Sequence, residues 1–260
     1  MRKRSALSIQ KDVIFAIFVR EIVSRFSGYA FGAVWLVLEP LMMMIIFIMI
    51  FGARGRGEFG YAEPPVFIMA TFLPFRMLWQ STMRKNLSAL GEARGLMGFR
   101  QVRLFDVFMA RALAEAGLFC AVGLLLITGF WWVGFDPWPD DILEVLAVSF
   151  VLWLFAASFG MIACMASSVA KEVEKVIGII TMPLLFISGV FFPMTAVPDS
   201  YLKLLSWNPL AHAVEMIREG WFANYVSPMA DPGYLIDWTV ICMALAMATY
   251  RLNWRRVIAS

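Results

Sequence analysis

The sequence predicts an all-α, polytopic membrane protein. Of its 260 residues, 61% are hydrophobic and the mean hydropathy is +0.76, which is too apolar for a soluble core. The apolar residues gather into six stretches, too many for a single anchor. The net charge is only +3, but Lys and Arg collect in alternate connections, the pattern that sets membrane orientation.

Residues 8–28 open the chain as an amphipathic interface helix. At 100° per residue, Phe15, Phe18, Val19, Ile22, Val23 and Phe26 share one side, and Arg20, Glu21, Ser24, Arg25 and Ser27 the other. Such a helix lies on a membrane surface, and Gly28 loosens the backbone before the chain dives.

Six spans follow, at 29–51, 65–83, 112–135, 143–169, 176–192 and 234–250. The first has a single charge, Glu39, followed by Pro40, and an acid inside a span needs protein or water beside it. The second contains Pro74 and Arg76, and the third carries Glu115 in its opening turn. The fourth has Ala156, Gly160 and Cys164 as a small-residue stripe at i+4 spacing, a mark of close helix packing. The fifth is broken by Pro183 and Gly189 and reaches only ~25 Å, and the sixth carries Asp237. Glu39 and Arg76 fall at similar depth, about 12 to 15 Å from the same surface. They form a buried ion pair, or each faces a hydrated cleft. With Trp35, Phe72 and Trp79 they are the candidates for lining a translocation path.

Two connections depart from ordinary loops. Residues 86–106 carry Glu92, Arg94, Arg100 and Arg103 around the apolar Leu96, Met97 and Phe99, and an exposed apolar cluster rimmed by charge docks on something. Residues 193–225 are amphipathic where an aqueous loop would be polar. One short helix starts at Pro198-Asp199 and ends near Trp207; Asn208 caps a second, with Pro209 in its first turn. On that second helix Leu210, Ala213, Val214 and Ile217 share a face, with His212, Glu215, Arg218 and Glu219 elsewhere, as in a re-entrant or surface-lying pair. Sixteen Lys and Arg flank the spans on one side and four on the other, which puts both termini in the cytoplasm. The N-terminus is expected to be retained, because Lys11, Asp12 and Arg20 interrupt any signal-peptide core.

Several chemistries are not indicated. Gly91 to Gly98 lacks the lysine of a phosphate-cradling loop, so ATP hydrolysis must come from elsewhere. Cys120, Cys164 and Cys242 all lie in apolar spans without metal-like spacing. His212 is the sole histidine and belongs to no nucleophile motif. No basic cluster interleaved with aromatics points to nucleic acid.

A set of short motifs carries a family resemblance: Arg20-Glu21, Arg25-Phe26, Gly28, Gly32, Trp35, Leu38-Glu39-Pro40, Pro74 and Gly95-Leu96 with Arg100. It continues through Asp106, Ala110-Arg111-Ala112-Leu113, Phe192-Pro193 and Trp207-Asn208-Pro209-Leu210 with His212, Glu215, Arg218 and Glu219. In this order the chain resembles the permease subunits of capsular polysaccharide ABC exporters, the KpsM-like family of Gram-negative bacteria. Arg76 departs from that pattern, which leads one to expect an apolar or aromatic residue there.

The resemblance implies an inner-membrane homodimer, each subunit docked to a cassette ATPase that binds ATP and Mg. It implies export of a lipid-linked capsular polysaccharide towards a periplasmic adaptor and an outer-membrane channel. The chain itself would be no enzyme and hold no cofactor. ATPase contact maps to Arg20, Glu21 and Arg25 and to the loop with Glu92, Arg94, Leu96, Phe99 and Arg100. The outer gate maps to Pro193, Trp207, Asn208, Pro209, His212, Glu215 and Arg218. Two alternatives share sequence features: a permease for O-antigen or teichoic-acid precursors, and an integral-membrane enzyme acting on lipid-linked sugars through Glu39, Asp237, His212 and Glu215. An ion-coupled transporter would show repeated halves, and no repeat is seen.

Overall fold

A computed structural model describes residues 5–27, 32–52, 63–93, 95 and 101–259, and it is helical throughout, with no strand among the described residues. Gly28 and, in the loop after the second span, Arg94, Leu96, Phe99 and Arg100 lie outside the described residues.

Helix α1 runs Ala6–Ser27 and α2 Gly32–Gly52. Then α3 (Pro64–Leu73), a π-helical stretch (Pro74–Ser81) and α4 (Thr82–Leu87) form one continuous rod. Pro74 has no N–H to continue the α ladder, and the wider π turn begins at that residue. Short α5 is Ala89–Ala93, and α6 (Leu104–Val133) and α7 (Ile142–Ser167) are long. Then come α8 (Glu172–Ile187), α9 (Asp199–Leu205), α10 (Pro209–Trp221) and α11 (Pro232–Ala259).

Among the described residues, three helices are long and apolar enough to cross a membrane: Leu104–Val133, Ile142–Ser167 and Pro232–Trp254; Val34–Ile50 is a shorter apolar helix. Several helix ends differ from the sequence expectation, and α11 runs on past 250 to Ala259. Helix α6 starts eight residues before 112, because the Asp106 carboxylate accepts the Arg103 N–H at 3.1 Å and closes the first turn. Helix α8 stops at Ile187, and the residues to 192 bend away through Gly189 at φ +70°.

In the rod α3–α4, Val66 to Phe75 are enclosed without interruption. The rod packs against α7, α10, α2 and α6. The small-residue stripe of α7 makes this possible, since a Cβ on Gly160 would stand 2.6 Å from the Met83 carbonyl oxygen. Helix α7 also packs along α11, and α1 packs along the first half of α6.

Candidate functional site

Three polar clusters interrupt the apolar packing. The first lies at the end of the bundle where α1, α4, α5 and α6 meet. Arg111, 1% exposed, points from α6 into this junction. Its Nε donates to Glu21 at 3.3 Å, its Nη1 to the Lys85 carbonyl at 2.6 Å and its Nη2 to Glu92. One helical turn on, Glu115 accepts from Arg25 at Oε1 and from the Ser81 hydroxyl at Oε2, 2.6 Å away. Gln10 donates to Asp106 at 2.9 Å.

This geometry corrects the expected faces of α1. Glu21 and Arg25 do not look outward with Arg20; they turn onto α6, together with Ile14, Ile17 and Phe18. Phe15, Val19, Val23 and Phe26 are left exposed on the other side. The physical reason is that Arg111 and Glu115, four residues apart on a helix entering the bundle, need charged partners in a poorly solvated place. Arg20 stays exposed, as do Gly91 and Glu92.

The second cluster sits deeper, between α2 and the π turn. Arg76 donates through Nη2 to Glu39 Oε1 at 2.8 Å, so the two residues form an ion pair, and both side chains keep partial solvent access. Beside them is a cavity of about 80 Å³, lined also by Arg25, Ser81, Glu115 and Leu36. Trp35, one turn before Glu39, is exposed on the same face of α2. Phe72 and Trp79 are instead inside the subunit: Phe72 packs on Phe47 and Phe191, and Trp79 on Phe75. In this conformation they line no accessible surface.

The third cluster is at the opposite end. Glu215 and Arg218, one turn apart on α10, are both fully buried and form an ion pair. Glu215 Oε2 also accepts from the Tyr225 hydroxyl at 2.5 Å and the Ser227 hydroxyl at 2.7 Å. Burial and the neighbouring Glu215 carboxylate push the Tyr225 hydroxyl well above the usual tyrosine pKa. Arg218 Nη2 donates to the Gly189 carbonyl at 2.6 Å, and its guanidinium lies 4.6 Å from the Phe67 ring centroid. The bend after α8 is thus held from three directions. Asn208 Nδ2 reaches Ser188 Oγ at 2.9 Å, Arg218 the Gly189 carbonyl, and Thr71 Oγ1 the Val190 carbonyl at 2.7 Å. Pro193 is buried just beyond the bend.

Helix α10 is more enclosed than its polar residues suggested. Asn208 does cap it, accepting from the Leu210 N–H at 3.0 Å with Pro209 following, but the helix is enclosed on every side from Leu210 to Arg218. His212 Nδ1 accepts the Asp231 N–H at 3.2 Å, which leaves the proton on Nε2, 2.8 Å from the Ser206 carbonyl. Both ring nitrogens are thereby committed to backbone groups. Trp207 is exposed, and its carbonyl accepts from the Tyr234 hydroxyl at 2.9 Å. The four groups of the enzyme alternative each have separate surroundings: Glu39 with Arg76, Glu215 with Arg218, His212 with backbone, and Asp237 exposed on α11. They do not converge as a catalytic site must.

The sequence marks Arg111 and Glu115 without giving them a role, and it does not point to Ser81 or Tyr225. Arg111 and Glu115 had a usable signal: opposite charges at i and i+4 at the mouth of a span, where neither tolerates lipid. Tyr225 and Ser227 had none, because only the fold brings them to Glu215.

Among the described residues the chain is helical, three helices are long and apolar enough to cross a membrane, and the buried charges meet where helices join. Residues 12–222 match the ABC-2 type transporter family, and the chain belongs to that family. Among curated relatives, it is 31% identical over 99% of both chains to the polysialic acid transport protein KpsM of Escherichia coli. The capsule polysaccharide export inner-membrane protein BexB of Haemophilus influenzae is 28% identical, over 94% of this chain and 92% of its own. The corresponding protein CtrC of Neisseria meningitidis serogroup B is 23% identical over 94% and 91%.

Proposed function

We propose that this chain is the permease subunit of an ATP-driven exporter that moves lipid-linked capsular polysaccharide across the inner membrane of a Gram-negative cell. The observation that carries the reading is similarity along 99% of both chains to a polysialic acid transport protein. The subunit crosses the membrane six times, keeps both termini in the cytoplasm and works as a homodimer with two cassette ATPases, which bind ATP and Mg. A periplasmic adaptor and an outer-membrane channel receive the glycan.

In this reading the ATPases push on α1 and on the loop after α4. Arg111 ties both to α6 by holding Glu21, Glu92 and the Lys85 carbonyl at once. Movement passes along α6 to the connection into α7, where the Asp141 N–H donates to the Gly220 carbonyl at 2.8 Å and Trp221 Nε1 to the Pro137 carbonyl at 3.2 Å. From there α10 and its Arg218 reach the bend after α8, so the outer gate and the inner rim belong to one mechanical chain.

Deleting the gene in an encapsulated host should abolish surface capsule and leave polysaccharide inside, and co-expression with the host's capsule ATPase should yield a stable complex. Unaltered capsule on the deletion strain would overturn the proposal.

A further inference from the structure

We infer that the cavity between α1, α2, the π turn and α6 is a binding site for a lipid phosphate, the phosphodiester group of a lipid whose chains lie along α2. This deepens the export reading above and rests on it for the direction of transport, though not for the chemistry.

Two arginines face the cavity, and their carboxylate partners are not equivalent. Glu115 is buried and has both oxygens committed, to Arg25 and to Ser81, so it serves as a fixed counter-charge that orients Arg25. Glu39 is half exposed and holds Arg76 through a single oxygen. Each guanidinium gives only Nη2 to its carboxylate, so most of its five N–H groups remain for a ligand. A phosphate can replace Glu39 at Arg76 and add a second contact from Arg25, the planar two-point geometry that guanidinium groups favour with oxyanions. A cavity of about 80 Å³ has room for one tetrahedral phosphate group or a few waters.

A third cation extends the site. Arg84, two turns along the rod from Arg76, is exposed and forms no ion pair among the described residues. Partial burial and repulsion from Arg76 lower its pKa, the condition under which an arriving anion relieves both charges. Arg84 and Arg76 are roughly 12 Å apart along the helix axis, a ladder from headgroup level into the bilayer. Above Glu39, the same face of α2 presents Met42, Met43, Ile46 and Ile50 to the exterior. A lipid with its phosphate at Arg76 finds an apolar track for its chains there. A headgroup this deep is out of place for a resting phospholipid and in place for one being moved.

The test uses the full-length permease in detergent and native mass spectrometry with phosphatidylglycerol, against a phosphate-free glucosyl-diacylglycerol. Phosphatidylglycerol should bind at least tenfold tighter than the neutral glycolipid. Arg76→Gln should weaken it about fivefold or more, and Glu39→Gln, which frees Arg76, should tighten it severalfold. The double variant Glu39→Gln/Arg76→Gln, which leaves no charge unpaired, should bind as weakly as Arg76→Gln and guards against misfolding as the cause. Equal binding of the two lipids, or full phosphatidylglycerol binding by the double variant, overturns the site. Glycolipid extracted from export-blocked cells identifies the source: tighter binding than phosphatidylglycerol assigns the phosphate to the cargo, equal binding to the bilayer, and both uphold phosphate as the ligand. A chain that exports no glycan yet loses phosphatidylglycerol with Arg76→Gln refutes the export reading alone. Normal export with phosphate binding indifferent to Arg76 refutes this site alone.

Discussion

Replacing Arg111 by Gln is the perturbation that most directly tests whether α1, α5 and α6 act as one body. Arg111 is enclosed, and its removal strands Glu21, itself nearly buried, and leaves the Lys85 carbonyl without its donor at 2.6 Å. Removing one member of a buried ion pair costs on the order of 3–5 kcal/mol, because the remaining charge stays desolvated. At 2–4 °C per kcal/mol for a chain of this size, thermal unfolding in detergent should fall by about 10 °C. Adding Glu21→Gln to Arg111→Gln removes the stranded charge and should return more than half of the loss, whereas Arg20→Gln, on the exposed side, should change nothing measurable. ATP hydrolysis by the assembled complex should persist in Arg111→Gln while polysaccharide export fails, since the pushing subunit is intact and the linkage is not. Wild-type thermal stability in Arg111→Gln, or a double variant no better than the single, would refute the idea that this network binds the three helices.

Four further outcomes follow from the packing and the charges. Gly160→Val places a side chain against the Met83 carbonyl and the Asn86 Cβ, 2.6 and 2.8 Å from the first added atom, and should destabilise by about 1–3 kcal/mol, read as a lower unfolding midpoint. Arg76→Gln breaks a pair with solvent access at both ends and should shift stability by less than about 1 kcal/mol, so any export defect it causes is functional. Arg218→Leu leaves buried Glu215 uncompensated and frees the Gly189 carbonyl, and protease cleavage near 188–193 should rise sharply from the low level of the parent. Tyr225 has a raised pKa in the folded state, so its contribution is complete below the ordinary tyrosine value near 10 and is lost as pH climbs past it; Tyr225→Phe should flatten that alkaline fall in the unfolding midpoint.

Much of the fold was legible in the sequence because apolar length is a strong signal. The helices carrying the first and fourth expected spans appear close to where hydropathy puts them. The early start of α6 was hidden by Arg103, Asp106 and Arg111, which look like loop residues until one sees that Asp106 caps the helix and Arg111 is enclosed. The enclosure of α10 was hidden for the same reason. A helix with His212, Glu215 and Arg218 off its apolar face looks half-wet, yet each of these finds its partner elsewhere in the chain, at Asp231, Tyr225 and Gly189. Local periodicity carries no information on such long-range satisfaction. The Glu39–Arg76 contact was accessible only as one of two options, since equal depth makes a pair feasible without specifying azimuth.

The three ionic clusters differ in one respect that bears on mechanism. Arg111 and Arg218 are sealed from solvent, so exchanging their partners would expose bare charges to a low dielectric, and they act as rivets. Arg76 and Glu39 keep solvent access, so their pair exchanges at little cost. Each member also stands beside a break in its own helix. Glu39 precedes Pro40 inside α2, and Arg76 lies two residues after Pro74 in the π turn, so at this one level both helices lack a backbone hydrogen bond. A helix bends most cheaply where its ladder is already interrupted. The Arg76–Glu39 pair thus stands where both helices bend most cheaply, and of the three clusters it is the one whose two side chains both keep solvent access, so a charged ligand can exchange with it.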